Sequence, residues 1–320
     1  MLTLEHVSKT YKTGAFGGGK LVAVREVDFA VAPGEVVSLI GESGSGKSTI
    51  GRMILRLISV NGGRIMYDGT DISTLRGPEL RAYYQSVQGV FQDPFSSLNP
   101  VFKVSHVFDM LRGKFGGSAR STWDQRVEEA LVSVGLEGGQ LLHKYPHQLS
   151  GGQLQRLLIA RALLLETRML VADEVISMLD ASTRIDVLNL LGDLKARGLG
   201  ILFITHDLSL ANYISERAVI LRRGRAVEIG PTNRVFENPL HPYTQQLIAA
   251  VPRLHEKWGS APDAGSAARC PYHTAPTAPT EPGHAGGSAM AEIEPGHMVA
   301  CANVDAPCPD DVAAEPGAVA

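Results

Sequence analysis

Short apolar runs alternate with helical patterns along most of the chain, and both patterns end near Leu254. Runs rich in Val and Ile predict strands, because branched side chains pack well on a pleated surface. Turn signals at Ala32-Pro33-Gly34-Glu35 and Asn61-Gly62-Gly63 separate these runs, and residues 14–19 predict a loop. The predicted strands span residues 2–7, 22–31, 36–40, 64–67 and 87–91.

Two later apolar runs, residues 169–172 and 201–204, lack polar alternation, and polar side chains follow each of them. Continuous runs of this kind suit strands that are covered on both faces, as in parallel sheets flanked by helices. Residues 121–135 predict an amphipathic helix that Ser121 caps and Gly135 ends. Its predicted apolar face consists of Val127, Ala130, Leu131 and Val134.

Together these patterns predict an α/β fold made of three parts. An antiparallel β subdomain comes first, a parallel α/β core follows, and a helical subdomain is inserted at about residues 95–160. All three belong to a domain that spans residues 1–254. Residues 255–320 are rich in Ala, Pro, Gly, Ser and Thr, so they can bury little apolar surface and predict a flexible, low-complexity tail.

Composition narrows the function classes. The 320 residues are 44% hydrophobic, which is enough for a sizeable core, and the net charge is −3, which does not favour sequence-independent binding to nucleic acid. The sequence shows no signal peptide and no apolar stretch of about 18 residues, so we expect a soluble or peripheral protein. The cysteines (Cys270, Cys301, Cys308) all lie in the last fifth, which fits a reducing compartment.

A glycine-rich loop lies between the run at 36–40 and a helical pattern. It has the spacing G-x-x-x-x-G-K-[ST] in a strand–loop–helix setting, which is typical of a phosphate-binding loop. Glycines let main-chain N–H groups approach phosphate, a lysine supplies a cation for the β- and γ-phosphates, and Ser48 offers a hydroxyl to Mg²⁺. The candidate binding residues are Gly41, Gly44, Ser45, Gly46, Lys47, Ser48 and Thr49.

Polar side chains also follow the other predicted core strands. Asp173 and Glu174 come directly after residues 169–172, and His206 follows residues 201–204. Because ligands bind beyond the carboxyl ends of parallel strands, we expect these groups to meet. Asp173 is predicted to hold Mg²⁺ through water, Glu174 to polarise an attacking water and His206 to reach the γ-phosphate. Gln92, after residues 87–91, is a candidate to ligate Mg²⁺ and orient water.

The segment Leu149–Arg156, LSGGQLQR, places two glycines where an apolar helical run begins. Glycine lowers helix stability, so the presence of two glycines at the start of a helix calls for a functional explanation. The free N–H groups and the dipole of a helix N-terminus suit an anion. Gly151 and Gly152 would then let that anion approach without a Cβ in the way.

In this order, the motifs GESGSGKST, VFQDP, LSGGQ, MLVADE, SMLD and THD resemble those of the ABC-type ATPases over about residues 1–252. The resemblance implies an ABC-type P-loop ATPase that binds ATP and Mg²⁺ and works as a dimer. One subunit would hold ATP on its Lys47 loop, while Ser150, Gly151, Gly152 and Gln153 of the other close over the γ-phosphate. It also implies that Asp180 lies at the same interface, and that Tyr11, following the first strand, stacks on adenine.

Further features resemble one branch of that family. SLNP and NPLHPYT are similar to segments of the ATP-binding subunits of oligopeptide, dipeptide and nickel importers. The implied partners are a second, different ATP-binding subunit, two membrane permease subunits and an extracytoplasmic solute-binding protein, with this chain at the cytoplasmic face of the membrane. The region from Phe95 to Pro100 would contact the membrane subunits. Oligosaccharide or nickel remain alternative cargoes, and a soluble ABC ATPase acting on nucleic acid or ribosomes is the alternative function.

The sequence departs from the family pattern at two places. After Asp173-Glu174, Val175 and Ile176 replace the usual Pro-Thr and Met178 replaces Ala, so dimerisation is expected to be atypical. In the tail, many relatives carry four cysteines, some of which are thought to hold an iron–sulfur cluster. Here three remain, one short of a full set of four thiolates, so an iron–sulfur cluster or a zinc ion is not favoured. His273 or His297 could complete a mixed metal site with Cys270, Cys301 and Cys308, although three free thiols are the favoured interpretation.

Overall fold

Two β-sheets organise the structure, a computed structural model that describes residues 1–13, 19–115, 120–251 and 290–300. The strands are β1 (Leu2–Thr13), β2 (Gly19–Val31), β3 (Val36–Ile40), β4 (Gly62–Tyr67), β5 (Thr70–Asp71), β6 (Val87–Val90), β7 (Met169–Asp173), β8 (Gly200–Thr205), β9 (Arg217–Arg222), β10 (Arg225–Pro231), β11 (Met290–Glu294) and β12 (His297–Ala300). The first sheet is antiparallel with the order β2-β1-β4-β5, and the main sheet has the order β11-β12-β10-β9-β3-β8-β7-β6.

Helices cover the main sheet and form the insertion. They are α1 (Lys47–Ile54), α2 (Gly77–Ser86), α3 (Ser105–Phe115), α4 (Arg120–Ser133), α5 (Gly138–Leu141), α6 (Gly151–Leu163), α7 (Ala181–Ala196), α8 (Leu208–Ile214), α9 (Thr232–Glu237) and α10 (Pro242–Ala249). In the described part of the chain, every helix is too short or too polar to span a bilayer.

The centre of the main sheet is parallel and fully covered. Every residue of β3, β7 and β8 is buried, as their continuous apolar runs predict. The register pairs Ile40 with Thr205, and Asp173 with Ile204. The carboxyl ends of the three strands therefore lie side by side at one edge of the sheet.

The predicted antiparallel portion, parallel core and helical insertion are confirmed, with corrections at several boundaries. β1 and β2 extend beyond the predicted strands because they stay paired as far as Thr13 and Gly19; the rest of the predicted loop lies outside the described residues. The cap predicted at Ser121 is wrong, because α4 already includes Arg120. The helical insertion, α3 to α6, packs around Trp123, Leu131 and other buried residues.

The sequence predicts no regular structure after residue 254, but the structure has two strands there. β11 and β12 form a hairpin, and β12 pairs antiparallel with β10, Glu228 lying opposite Val299. The hairpin therefore extends the main sheet beyond the predicted domain boundary. His297, at the start of β12, is fully buried against Glu228, so this imidazole is not available to a metal site formed by the tail cysteines.

Candidate active site

The loop between β3 and α1 wraps around its own lysine. The Lys47 ammonium donates to the carbonyl oxygens of Gly41, at 2.7 Å, and Glu42, at 2.8 Å. Burial lowers the pKa of Lys47, an effect that the nearby Glu174 and Asp173 oppose. Within the described ranges, only backbone carbonyls accept hydrogen bonds from this ammonium, and no carboxylate does. Its positive charge therefore remains available to a phosphate.

Two positions of this loop suit an anion, one by leaving open space and the other by offering a hydrogen-bond donor. Gly44 adopts φ +81°, and a Cβ there would meet no atom within 4 Å, so the loop is open on that side. The hydroxyl of Ser45 is buried and has no hydrogen-bond partner among the described residues. A buried hydroxyl without a partner is costly, so a phosphate oxygen is a fitting ligand here. Gly46 is obligatory for a different reason, because a Cβ would lie 2.4 Å from the carbonyl oxygen of Ala23.

Ser48 and Asp173 meet although 125 residues separate them. The Ser48 hydroxyl donates to Asp173 Oδ1 at 3.1 Å, between the first turn of α1 and the end of β7. Burial raises the pKa of Asp173, and the hydrogen bond from Ser48 opposes this. The described residues contain no cluster of three or more acidic, His or Cys ligands. A pair of oxygen donors fits Mg²⁺, which usually takes one or two protein ligands and completes its shell with water and phosphate.

Glu174 and His206 also meet at this edge. Glu174 Oε1 lies 3.2 Å from His206 Nδ1, and the Glu174 main-chain N–H donates to the Ile204 carbonyl at 2.9 Å. Glu174 adopts φ +50°, a conformation that side-chain-bearing residues seldom adopt outside functional sites and turns. Its carboxylate is 20% exposed, so water can reach it. Gln92 lies exposed two residues after β6, the neighbour of β7.

The LSGGQ segment begins α6, within the helical insertion. Ser150 Oγ accepts from the N–H of Gln153 at 3.2 Å, and Gln153 Oε1 accepts from the N–H of Ser150 at 3.1 Å, which forms a capping box. A Cβ on Gly152 would lie 2.3 Å from Thr183 Cγ2, whereas one on Gly151 would meet Leu179 at an ordinary 3.4 Å. Gly152 therefore also allows α6 to approach α7, a role that the sequence analysis did not predict.

Asp180 caps the neighbouring helix α7. Its carboxylate accepts from the Ser182 hydroxyl at 2.6 Å, the Thr183 N–H at 3.0 Å and the Thr183 hydroxyl at 2.7 Å. The bond from Ser182 is the main reason why the pKa of Asp180 lies well below its usual range. Thr183, which Gly152 faces, thus joins the two helix N-termini. The Ser150 and Asp180 segments consequently form one continuous surface.

The unusual residues after Glu174 divide into two environments. Val175 and Ile176 are buried in the core that α6 and α7 share, whereas the Met178 side chain is 61% exposed. Val175 and Ile176, which stand where the family usually has Pro-Thr, therefore add apolar side chains to this core. Met178 adds an exposed apolar group beside the Ser150–Asp180 surface.

Tyr11 does not follow the first strand as predicted. It lies inside β1, opposite Leu21 of β2, because the pairing of the two strands continues to Thr13. Its ring is partly buried, and the Lys9 ammonium lies 5.5 Å from the ring centroid. The ring still has an accessible surface. The tail residues Cys270, His273, Cys301 and Cys308 lie outside the described residues.

Two family models match the chain in succession. Residues 24–177 match the model described as ABC transporter, and residues 227–276 match the oligopeptide/dipeptide transporter, C-terminal region. The dipeptide transport ATP-binding protein DppF of Lactococcus lactis is 39% identical over 304 residues, covering 93% of each chain. The chain belongs to the ATP-binding subunits of ABC transporters. It is therefore an ABC ATPase, and ATP with Mg²⁺ is the nucleotide chemistry of its family.

Two further relatives support the assignment of the chain to this family. The glutathione import ATP-binding protein GsiA of Escherichia coli is 45% identical over 238 residues, which cover 72% of this chain and 37% of GsiA. A dimeric ATP-binding cassette, MJ0796, solved in a post-hydrolysis state with ADP and phosphate, matches 72% of this chain and 99% of its own, with 31% identity and a TM-score of 0.65. The predicted ABC-type fold is confirmed.

Removing the Ser48 hydroxyl tests the Mg²⁺ assignment. We expect Ser48→Ala to raise the Mg²⁺ concentration at half-maximal ATPase activity about tenfold, because Mg²⁺ would lose the hydroxyl ligand and the Asp173 carboxylate would lose the group that orients it. The measurement is a Mg²⁺ titration of phosphate release at fixed ATP. Ser59→Ala, at an exposed serine beyond α1, is the matched control and should not shift the titration. An unshifted titration for Ser48→Ala would remove Ser48 from the metal site.

Proposed function

We propose that this ABC ATPase powers the import of a peptide-like solute, with an oligopeptide or dipeptide as the cargo. The observation that carries this proposal is the match of residues 227–276 to the oligopeptide/dipeptide transporter C-terminal region. The similarity to DppF, a dipeptide transport ATP-binding protein, and to GsiA, a glutathione import ATP-binding protein, supports it. All named cargoes contain peptide bonds, so we assign the cargo to that class.

In the proposed cycle, each residue at the strand ends has a defined role. Lys47 and the N–H groups of Gly44 to Ser48 bind the phosphates, and the Ser45 hydroxyl gains the partner that it lacks. Ser48, Gln92 and, through water, Asp173 would hold Mg²⁺, which would neutralise charge on the phosphates. Glu174 accepts a proton from the attacking water, and His206, which lies 3.2 Å from it, orients this carboxylate and reaches the γ-phosphate. The remaining proposed binding residues are Gly41, Gly46, Thr49 and, stacking on adenine, Tyr11.

We propose that the γ-phosphate is covered by a second subunit. Ser150, Gly151, Gly152, Gln153 and Asp180 form the surface that would face the partner's nucleotide. Ser150 starts α6, and the positive end of this helix suits the triphosphate, whereas the Asp180 carboxylate already caps α7. The dimeric state of the MJ0796 cassette supports this arrangement. The partner is proposed to be a related but different subunit.

An apolar groove on the helical insertion is proposed to receive the membrane subunits. Its cavity of about 120 Å³ is lined by Leu98, Phe102, Val107, Met110 and neighbouring residues. Phe95 and Val101, beside it, are exposed apolar side chains. An exposed apolar cluster of this kind marks an interaction site. Two permease subunits and an extracytoplasmic solute-binding protein complete the proposed importer, with this chain at the cytoplasmic face.

Peptide uptake by cells carrying the complete importer tests this function. We expect Phe102→Asp to lower uptake of a labelled dipeptide about tenfold, since a charge in the groove opposes docking, while the ATPase rate without permease stays unchanged. Val132→Asp, at an exposed apolar residue of the same insertion but outside the groove, is the control. Uptake of a labelled oligosaccharide or of Ni²⁺ instead of peptides would contradict the assignment of the cargo to peptides. Normal uptake by the Phe102 variant would contradict the docking site.

A further inference from the structure

Buried polar groups connect the C-terminal hairpin to the start of α10. His297 Nε2 on β12 lies 2.8 Å from Glu228 Oε1 on β10, and neither side chain is exposed. The same carboxylate accepts the main-chain N–H groups of Leu240 and His241, each at 2.9 Å. Glu228 thus interacts with the hairpin and with the start of α10, and a carboxylate with three partners holds both firmly.

His241 carries this arrangement into α10. Its Nδ1 accepts the N–H of Tyr243 at 3.0 Å, so the imidazole caps the helix. Burial lowers the pKa of His241 to about 4, and the ring therefore stays neutral and able to accept at neutral pH. The backbone of Tyr243 is consequently fixed relative to Glu228.

Tyr243 then contacts the phosphate loop. Its buried hydroxyl accepts the main-chain N–H of Glu42 at 3.3 Å, and the Arg222 guanidinium lies 5.1 Å from its ring centroid. The carbonyl of the same residue, Glu42, accepts from the Lys47 ammonium. One hydrogen-bonded path therefore runs from His297 through Glu228, His241 and Tyr243 to the loop.

We infer that Tyr243 is a positioning residue for the phosphate loop, and that the Glu228–His297 pair sets its position from the C-terminal hairpin. The phenol holds the Glu42 N–H, and so the loop backbone, in the conformation that accepts phosphate before nucleotide arrives. Preorganisation of this kind lowers the entropy lost on binding. The inference rests on the proposed role of this loop in ATP binding. It gives the His241-Pro242-Tyr243 segment a function within the nucleotide site.

The decisive variant is Tyr243→Phe, which keeps the ring and removes the hydroxyl alone. We expect the Kd for MgATP, measured by calorimetric titration, to rise about 2- to 10-fold, the worth of one hydrogen bond. KM for ATP should rise equally while kcat changes less than about twofold, since only binding is affected. Amide hydrogen exchange at residues 42–44, measured without nucleotide, should become faster. Tyr213→Phe, which removes an exposed hydroxyl bonded to Asn189, is the matched control and should change none of these.

Coupling to the hairpin is tested with His297→Leu and the double variant. His297→Leu should also raise Kd and speed exchange at residues 42–44. Adding Tyr243→Phe to it should give less than the sum of the two effects, because both act on one path. Unchanged Kd and exchange in Tyr243→Phe would overturn the inference. If the effects of the two substitutions on Kd were additive, the C-terminal hairpin would have no part in positioning Tyr243. Failure of the parent protein to bind ATP would instead contradict the proposed function, and the exchange measurement would still test whether Tyr243 holds the loop.

Discussion

Glu174→Gln is expected to lower kcat for ATP hydrolysis by at least about 100-fold, because an amide cannot accept the proton of the attacking water. The change preserves size, and the Glu174 N–H bond to Ile204 is a main-chain contact that survives it. The affinity for MgATP should therefore stay within about twofold of the parent value. Phosphate release gives the rate, titration gives the affinity, and light scattering should detect an ATP-dependent dimer that persists.

Glu166→Gln provides the matched control for this variant. Glu166 precedes β7, at the opposite end of the strand from Glu174, and its exposed pair with Arg126 contributes little to stability. The control should retain the parent rate. Normal turnover by Glu174→Gln would show that another group activates the water, and the proposed chemistry at the strand ends would have to be abandoned.

The second large effect separates nucleotide binding from turnover. Lys47→Ala should abolish detectable MgATP binding, because the loop loses its cation. Ser150→Arg should leave binding intact and stop turnover, since Ser150 would face the nucleotide of the partner subunit. Loss of the Ser150 cap alone costs about 1 kcal/mol, so the variant should remain folded. Titration, phosphate release and thermal unfolding measure the three properties.

Mixing the two inactive variants tests whether the site is shared. In a preparation where the parent chain dimerises with itself, an equal mixture should regain about a quarter of the parent activity, because half of the dimers carry one intact site. Where a different subunit is required, Ser150→Arg should instead silence the partner's site in the assembled complex. Full activity of Ser150→Arg in a strictly monomeric preparation would contradict the shared site.

The sequence predicts which residues meet at the strand ends, because each part is a local pattern. Asp173, Glu174 and His206 follow apolar runs that form parallel strands, and strand direction alone brings them to one edge. The spacing of glycines before Lys47 likewise predicts a loop followed by a helix. These signals depend on neighbouring residues, and no distant packing partner is needed to interpret them.

Other features depend on contacts between distant residues, and the sequence does not reveal them. The packing of Gly152 against Thr183 requires the angle between α6 and α7. The hairpin at 290–300 is hidden in an Ala- and Pro-rich composition, and its partner Glu228 lies about 70 residues earlier. A weak signal did exist, because Glu228 interrupts the apolar run Val227–Ile229. A charge at such a position indicates a buried partner without identifying it.

The phosphate loop is also attached to both sheets. Gly46 contacts the carbonyl of Ala23 on β2, the N–H of Gly224 donates to the Ser45 carbonyl at 2.9 Å, and the N–H of Arg25 donates to the Gly224 carbonyl at 2.8 Å. Rotation of one sheet against the other would strain these contacts, including the hydrogen bond from Gly224 to the loop residue Ser45. The two sheets are therefore expected to travel as a single rigid block during the cycle. We expect the helical insertion, which joins this block through α6 and the segment after β6, to be the part that moves against it.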